Sequence, residues 1–334
     1  MKQQLVLFSF VLLFVICGCK KTAPLDEPLV SADKLQGKHD NDDDDDGRCR
    51  LIFSDRDGVY STSYHYNRNG LVDNWKIDYH DGYPDVYNFT YDNRNHLKTA
   101  YVVFNYSARV FDVKYQYQGD RLVKETWFTA GTKDVVDEIV NTYNNRDQII
   151  KRKSVPKNIY CTFTYNFLGN NPLVNYYVND ELFLKEEYTH QQFNRNPLTS
   201  LKGIPVMLPY YDFVISSWWE TSQKWTIYEE GVPTVIVDLD PKTAVMKLGP
   251  KHYLTSVSNF DRAIQQNTKA IFKYENCGGK DDVNEQLPAS DNIVASKNSP
   301  MAIIAKFKRA LLPGQSESIK NEVKELKRKL NQQP

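Results

Sequence analysis

Six aspartates fill seven positions from Asp40 to Asp46, directly before Gly47. Within them Asp42, Asp44, Asp46 and Gly47 spell D-x-D-x-D-G, the opening half of a calcium loop, in which alternate carboxylates offer hard oxygen ligands around a tight turn. The twelfth position of such a loop needs a bidentate Glu, and Phe53 stands there. Asp42, Asp44 and Asp46 are thus half a metal site. The plainer reading is an extended spacer, because like charges at this density repel. The six histidines, His39, His65, His80, His96, His190 and His252, lack the spacing of a zinc protease helix, and no cysteine pair has zinc-finger spacing. There is no G-x-S-x-G elbow, no glycine-rich phosphate loop and no cofactor motif. Acidic residues are plentiful enough for the carboxylate pair of a glycoside hydrolase, but nothing nominates which two. Trp218 and Trp219 are the binding candidates. Neighbours on a strand point to opposite faces, so one indole of the pair is offered as a platform for a sugar or a partner protein.

The amino terminus carries covalent chemistry. Lys2 is followed by a thirteen-residue apolar run, Leu5 to Cys17, broken by Ser9. That length suits the central region of a signal peptide and is too short to span a bilayer as a helix. The run ends in Ile16-Cys17-Gly18-Cys19 before Lys20-Lys21, which resembles the lipobox of bacterial lipoproteins. The resemblance implies a diacylglycerol thioether on Cys19, cleavage after Gly18, and a Gram-negative outer-membrane or cell-surface address held by lipid. Several buried acyl chains make a stable anchor, at about 0.8 kcal/mol per methylene.

Forty-two basic and 42 acidic residues balance to zero. That charge gives no pull toward nucleic acid, and the envelope address argues against it independently. Once a signal peptide of residues 1–18 has left and Cys19 is lipidated, Cys49, Cys161 and Cys277 remain. In an oxidising compartment one bridge, between Cys49 and Cys277, is open, and so are free buried thiols.

The elements that must position any site begin after a tether, residues 19–48. From 49 to 277 short segments alternate apolar and polar residues at the period of two expected of strands. Tyr60, Thr62, Tyr64 and Tyr66 share a face opposite Ser61, Ser63 and His65. Tyr87, Phe89 and Tyr91 share another, as do Phe111, Val113, Tyr115 and Tyr117. Cys161, Phe163 and Tyr165 face away from Tyr160, Thr162 and Thr164. A repeat underlies this: Tyr66, Tyr91, Tyr117, Tyr143 and Tyr165 recur at 25, 26, 26 and 22 residues. After four of them comes Asn or Asp, and the fourth residue onward is Gly70, Asn95, Asp147 or Gly169, types that tolerate positive φ. The spacing predicts type I turns closed by a left-handed residue, with a two-residue turn at Gly119-Asp120 instead. Leu71, Leu97, Leu122 and Ile149 are expected to open the returning strands. A lone hairpin cannot bury its apolar face, so neighbours must stack. The fold class is all-β: an antiparallel hairpin-repeat curved sheet or barrel.

The Tyr-Asn/Asp-x-x-Gly/Asn-x-Leu pattern is similar to the tyrosine–aspartate (YD, or Rhs-type) repeat of bacterial surface proteins. The stretch from about 50 to 277 also resembles lipoproteins carrying a domain of unknown function with a porin-like fold. There, tyrosine-rich hairpins are interrupted by an Asn-Pro linker, here Phe193 to Leu198 and on to Trp218-Trp219. Strands are expected to resume at Lys224–Tyr228, Thr234–Leu239 and Ala270–Tyr274. Residues 278–300 read as a linker and 301–334 as short amphipathic helices, with Ile319, Val323, Leu326 and Leu330 in one stripe. Neither resemblance supplies catalytic residues. The expected function is a non-catalytic envelope module for glycan or protein partners; a glycan-active hydrolase with an unrecognised site and a structural outer-membrane component stand as alternatives.

Overall fold

The computed structural model describes residues 49–56, 60–80, 82–105, 109–170, 173–195, 197–201, 218–229, 231–249, 253–263, 265–277 and Arg328. Chain order gives β1 (Arg50–Arg56), β2 (Tyr60–Tyr66), β3 (Val72–Asp78), β4 (Asp85–Tyr91), β5 (Leu97–Phe104) and β6 (Arg109–Gln118). Next come β7 (Arg121–Thr129), β8 (Val135–Tyr143), β9 (Ile149–Ser154), β10 (Ile159–Thr164), β11 (Leu173–Val178) and β12 (Glu181–Arg195). The last are β13 (Trp218–Glu229), β14 (Val232–Asp238), β15 (Val245–Leu248), β16 (Leu254–Asp261) and β17 (Gln266–Glu275). All 17 belong to one sheet. Each of β1 to β13 ladders antiparallel with the next, and β1 also pairs with β17, as β17 does with β16 and β16 with β15. At the seam, β14 leaves β13 and β15 joins β16. There the end of β14 meets the end of β16 through the Leu239–Asp261 bridge and a bond from the Arg262 N–H to the Asp238 carbonyl at 2.9 Å. Among the described residues no ladder closes the ring.

One face of this single layer is buried, and among the described residues no second layer covers it, so the sheet must wrap around its own apolar side. The main core holds Leu51 of β1, Trp127 of β7, Val174 of β11 and Phe272 of β17. Aromatic rings step sideways through it, strand by strand. Tyr64 to Trp75 is 5.4 Å between centroids, Trp75 to Tyr87 and Tyr87 to Phe104 are each 6.0 Å, and Phe104 to Trp127 is 6.3 Å. The opposite face carries Ser63, His65, Lys76, Asn88, Lys98, Lys114 and Gln116. Apolar in and polar out is the reverse of a membrane-spanning barrel, whose lipid-facing residues are the apolar set.

The predicted turns form as expected. Gly70, Asn95, Asp147 and Gly169 are left-handed, at φ 70°, 60°, 60° and 81°. Before each, a side-chain oxygen takes two backbone N–H groups. Asn67 Oδ1 accepts from Asn69 and Leu71 at 2.9 and 3.0 Å, and Asp92, Asn144 and Asn166 repeat the pattern. At the two-residue turn Gly119 is left-handed at φ 62°. A bulge falls just before Tyr66, Tyr91, Tyr117 and Tyr143, where the ladder register shifts. Bulges re-aim the residues beside them, and here every repeat tyrosine reaches back to the hairpin before it. The Tyr66 hydroxyl donates to the Leu51 carbonyl at 2.8 Å, Tyr143 to Leu122 at 2.9 Å and Tyr165 to Ile149 at 2.8 Å. Tyr91 donates to Val72 and Tyr117 to Leu97. Tyr274, outside the repeat as read from sequence, makes the same bond to Leu254 at 2.8 Å. The first returning strand therefore opens at Val72 and not at Leu71: Tyr66 pairs with Val72 as Tyr91 pairs with Leu97.

Two further expectations shift. β12 runs on to Arg195, so Phe193 is strand and the Asn-Pro linker begins later, with a short 3-10 helix at Pro197–Ser200. The alternation singles out no residues for β15 or β16, whereas β11 is the returning strand of the predicted turn at Asn166–Gly169. Of the predicted C-terminal helices only Arg328 is described, and it is helical; the signal peptide and tether lie outside the described residues.

The tyrosine bonds carry a pH signature. Burial pushes the Tyr143 hydroxyl up to about 12, and lifts Tyr64, Tyr66, Tyr91 and Tyr165 higher. The folded state keeps protons that the unfolded chain releases near pH 10. This stability is therefore fully present below pH 10 and is lost as pH rises toward 12 and beyond, by at most about 1.4 kcal/mol per pH unit for each tyrosine. Urea midpoints measured at pH 8, 10 and 11 should fall between the last two, with phenolate absorbance rising together with unfolding. A midpoint flat to pH 11 would contradict the tyrosine bonding.

Candidate functional site

Among the described residues, one polar cluster on each face of the sheet stands out. The first is inside. Arg152 of β9 is fully buried, and its guanidinium grips Glu125 of β7, Nη1 to Oε1 at 2.6 Å and Nη2 to Oε2 at 2.9 Å. Nη1 also donates to Asn141 Oδ1 of β8 at 3.2 Å, and Asn141 Nδ2 donates to the Leu122 carbonyl at 2.9 Å. This is the forked geometry in which a guanidinium matches a carboxylate best. Burial, then the Glu125 charge, raises the neighbouring Tyr115 hydroxyl well above its ordinary value. Nearby, Ser154 Oγ donates to Asp137 Oδ1 at 2.7 Å, and Lys157 Nζ lies 3.2 Å from Asp137 Oδ2. Burial pulls the Lys157 pKa down, against the pull of Asp137 upward. Farther round, Glu186 Oε2 accepts from the hydroxyls of Tyr176 and Tyr188, at 3.1 and 2.6 Å. Glu125, Asp137 and Glu186 have no solvent exposure at all. Carboxylates this enclosed hold strands together and have no open side for a substrate.

The second place is outside, across β9, β10 and β11. Tyr160 and Tyr177 are directly opposite each other and stack, with centroids 4.6 Å apart and planes 16° from parallel. Lys153 faces Tyr160 from β9, and Lys151 stands two residues before it on the same face. Their ammonium groups lie 3.9 Å (Lys151) and 6.0 Å (Lys153) from the Tyr160 ring centre. What desolvation Tyr160 has, and then the Asp180 carboxylate at its hydroxyl, raises the pKa of that hydroxyl and keeps it a neutral donor. Inside or outside is settled by alternation: Arg152, between the two lysines, faces Cys161 and the core. The flanking lysines are neutralised, Lys124 by Glu138 and Lys185 by Glu187. Lys151 and Lys153 have no carboxylate partner among the described residues. All four residues are half-buried, and the row offers the rest of its aromatic surface and two cationic donors to solvent.

The residues nominated from sequence fall elsewhere. Trp218 and Trp219 open β13, with Trp218 opposite Arg195; their side chains lie outside what is described, as do Cys19 and the aspartates Asp42, Asp44 and Asp46. His65 Nδ1 is 2.7 Å from Asp73, and His80 is 3.8 Å from Asp55. His96 stacks on Tyr117 at 4.5 Å and lies near Asp92 and Asp120. Among the described residues no group of three or more His, Cys, Asp or Glu is arranged to hold a metal ion. The outward row was missed because no spacing rule singles it out. The signal present was Tyr160 on the polar side of a strand, one hairpin after Lys151 and Lys153.

No family model matches the chain, and no curated protein does. Among solved structures it is similar to a porin-like protein from Bacteroides uniformis, at 11% identity and TM-score 0.44, covering 69% of this chain and 97% of that one. A porin-like protein from Bacteroides vulgatus aligns at 9% identity and TM-score 0.32, over 67% and 98%. The Photorhabdus luminescens Tc holotoxin pore aligns at 10% identity and TM-score 0.23, over 66% of this chain and 15% of that one. Likenesses this distant add nothing to the reading of the site.

Proposed function

We propose that the chain is a lipid-anchored envelope protein whose sheet acts as a non-catalytic binding module for a glycan or protein partner. The anchor rests on Ile16-Cys17-Gly18-Cys19 after the apolar run. The binding reading is carried by one observation: the outward face displays stacked tyrosines and uncompensated lysines, while the paired carboxylates are sealed inside. An exposed aromatic surface with polar neighbours is the usual make-up of a recognition patch. Trp218 and Trp219 remain candidates for the same role.

Cys19→Ala should abolish labelling by a fatty-acid probe and shift the protein from the membrane to the soluble fraction. Undiminished labelling would remove the anchor. The full chain should retain a set of polysaccharides or envelope peptides without consuming them. Release of reducing sugar ends from any of these would replace the binding module by a hydrolase. A tenfold loss of retention in Trp218→Ala or Trp219→Ala would place the contact at the start of β13.

A further inference from the structure

The lysine–tyrosine row defines a ligand class. A sugar ring has a C–H face that packs on an aromatic surface, and a uronic acid or sulfated sugar adds a fixed negative charge beside that face. Tyr160 and Tyr177 form the aromatic surface. Lys151 and Lys153 place two ammonium groups beside it, and a cation held over a ring keeps N–H donors for a further acceptor. Three neighbouring strands span about 10 Å, the reach of a disaccharide. Asp180 touches the row at the Tyr160 hydroxyl and repels anions at that edge, which restricts the charge to the β9 side. The local charge pattern points the same way, since lysines on either side of the row are paired and these two are not.

We infer that Tyr160, Tyr177, Lys151 and Lys153 form a binding site for an acidic glycan, a polysaccharide bearing carboxylate or sulfate groups on its sugar rings. The inference rests on reading the sheet as a glycan-binding module and names its ligand class. Anion contact is made by the lysines, and the tyrosine pair discriminates a sugar from a simple polyanion.

The test is affinity electrophoresis of the detergent-solubilised full chain through gels containing polygalacturonate, chondroitin sulfate, polyglutamate or neutral dextran. The site requires retardation by polygalacturonate or chondroitin sulfate that weakens with salt, and little by dextran. The double variant Lys151→Gln/Lys153→Gln should bind at least tenfold more weakly. Tyr177→Ala, with both lysines intact, should lose a similar factor, and Tyr177→Phe should recover most of it. Urea midpoints matched to the parent keep misfolding apart from lost binding. Equal retardation by polyglutamate, or loss with the lysine variant but none with Tyr177→Ala, would reduce the row to an ion exchanger and overturn the site. Polysaccharide binding that survives both changes but fails in Trp218→Ala would also overturn it, while leaving a glycan module standing. No retardation by any polysaccharide would remove the glycan partner and this site together.

Discussion

Arg152→Leu should destabilise the folded protein by about 3–5 kcal/mol, because it strands the Glu125 carboxylate at zero exposure without its guanidinium. Removing one partner of a buried pair leaves the other to bear its full desolvation cost. Removing both does not, so Glu125→Leu/Arg152→Leu should recover most of the loss if the leucines fill the space. Urea unfolding of the parent, both single variants and the double variant closes the thermodynamic cycle. A double variant that loses as much as the two single variants added together would show that the pair is not coupled and that the interior is held some other way.

The second large effect lies at the ends of the sheet. Cys49 precedes β1 and Cys277 follows β17, two strands already laddered from Arg50 to Glu275, and the thiols are joined in a disulfide over a separation of 228 residues. In the chain-entropy model a loop of that size gives up about 5 kcal/mol of unfolded-state freedom, and measured losses on removing native bridges run about 2–5 kcal/mol. Cys49→Ser/Cys277→Ser should therefore lower stability within that range, with a steeper urea dependence as the unfolded chain expands. The parent in reductant should fall onto the curve of the double variant. Cys161 is buried and takes no part in the bridge, so Cys161→Ser separates its contribution: it should leave the effect of reductant intact. A parent indifferent to reductant would show the bridge to be absent or without weight.

Turn chemistry was legible because it is local. A residue that must stand at positive φ is restricted by its own Cβ, so Gly70, Asn95, Asp147 and Gly169 could be picked by type, and the bulge geometry followed from the hairpin class. The inward parity of Tyr64, Tyr87, Phe111 and Cys161 was legible for the same reason, since alternation is a property of one strand. The mistake at Leu71 shows where that ends. Two aliphatic residues adjoin there, and which one opens the strand depends on the bulge at Asp73, which only the pairing with β2 sets. The Cys49–Cys277 bridge was readable as one of two open outcomes. Only the pairing of β1 with β17, more than 200 residues apart in the chain, brings the two thiols together.

Residues 151–153, Lys-Arg-Lys, make the division sharpest. By composition any of the three could face water. Alternation permits two arrangements, with Arg152 inside or with both lysines inside. The sequence determined that a polar residue would have to be buried somewhere in this strand. It did not determine which, because the answer lies in Glu125 and Asn141 on strands β7 and β8. Their forked acceptors suit a guanidinium, and no ammonium can fill both oxygens in that plane. Once Arg152 turns inward, Lys151 and Lys153 must turn outward toward Tyr160 and Tyr177. The outer candidate site is therefore a consequence of an inner ion pair, and only the tertiary structure, by bringing strands 27 residues apart into contact, decides it.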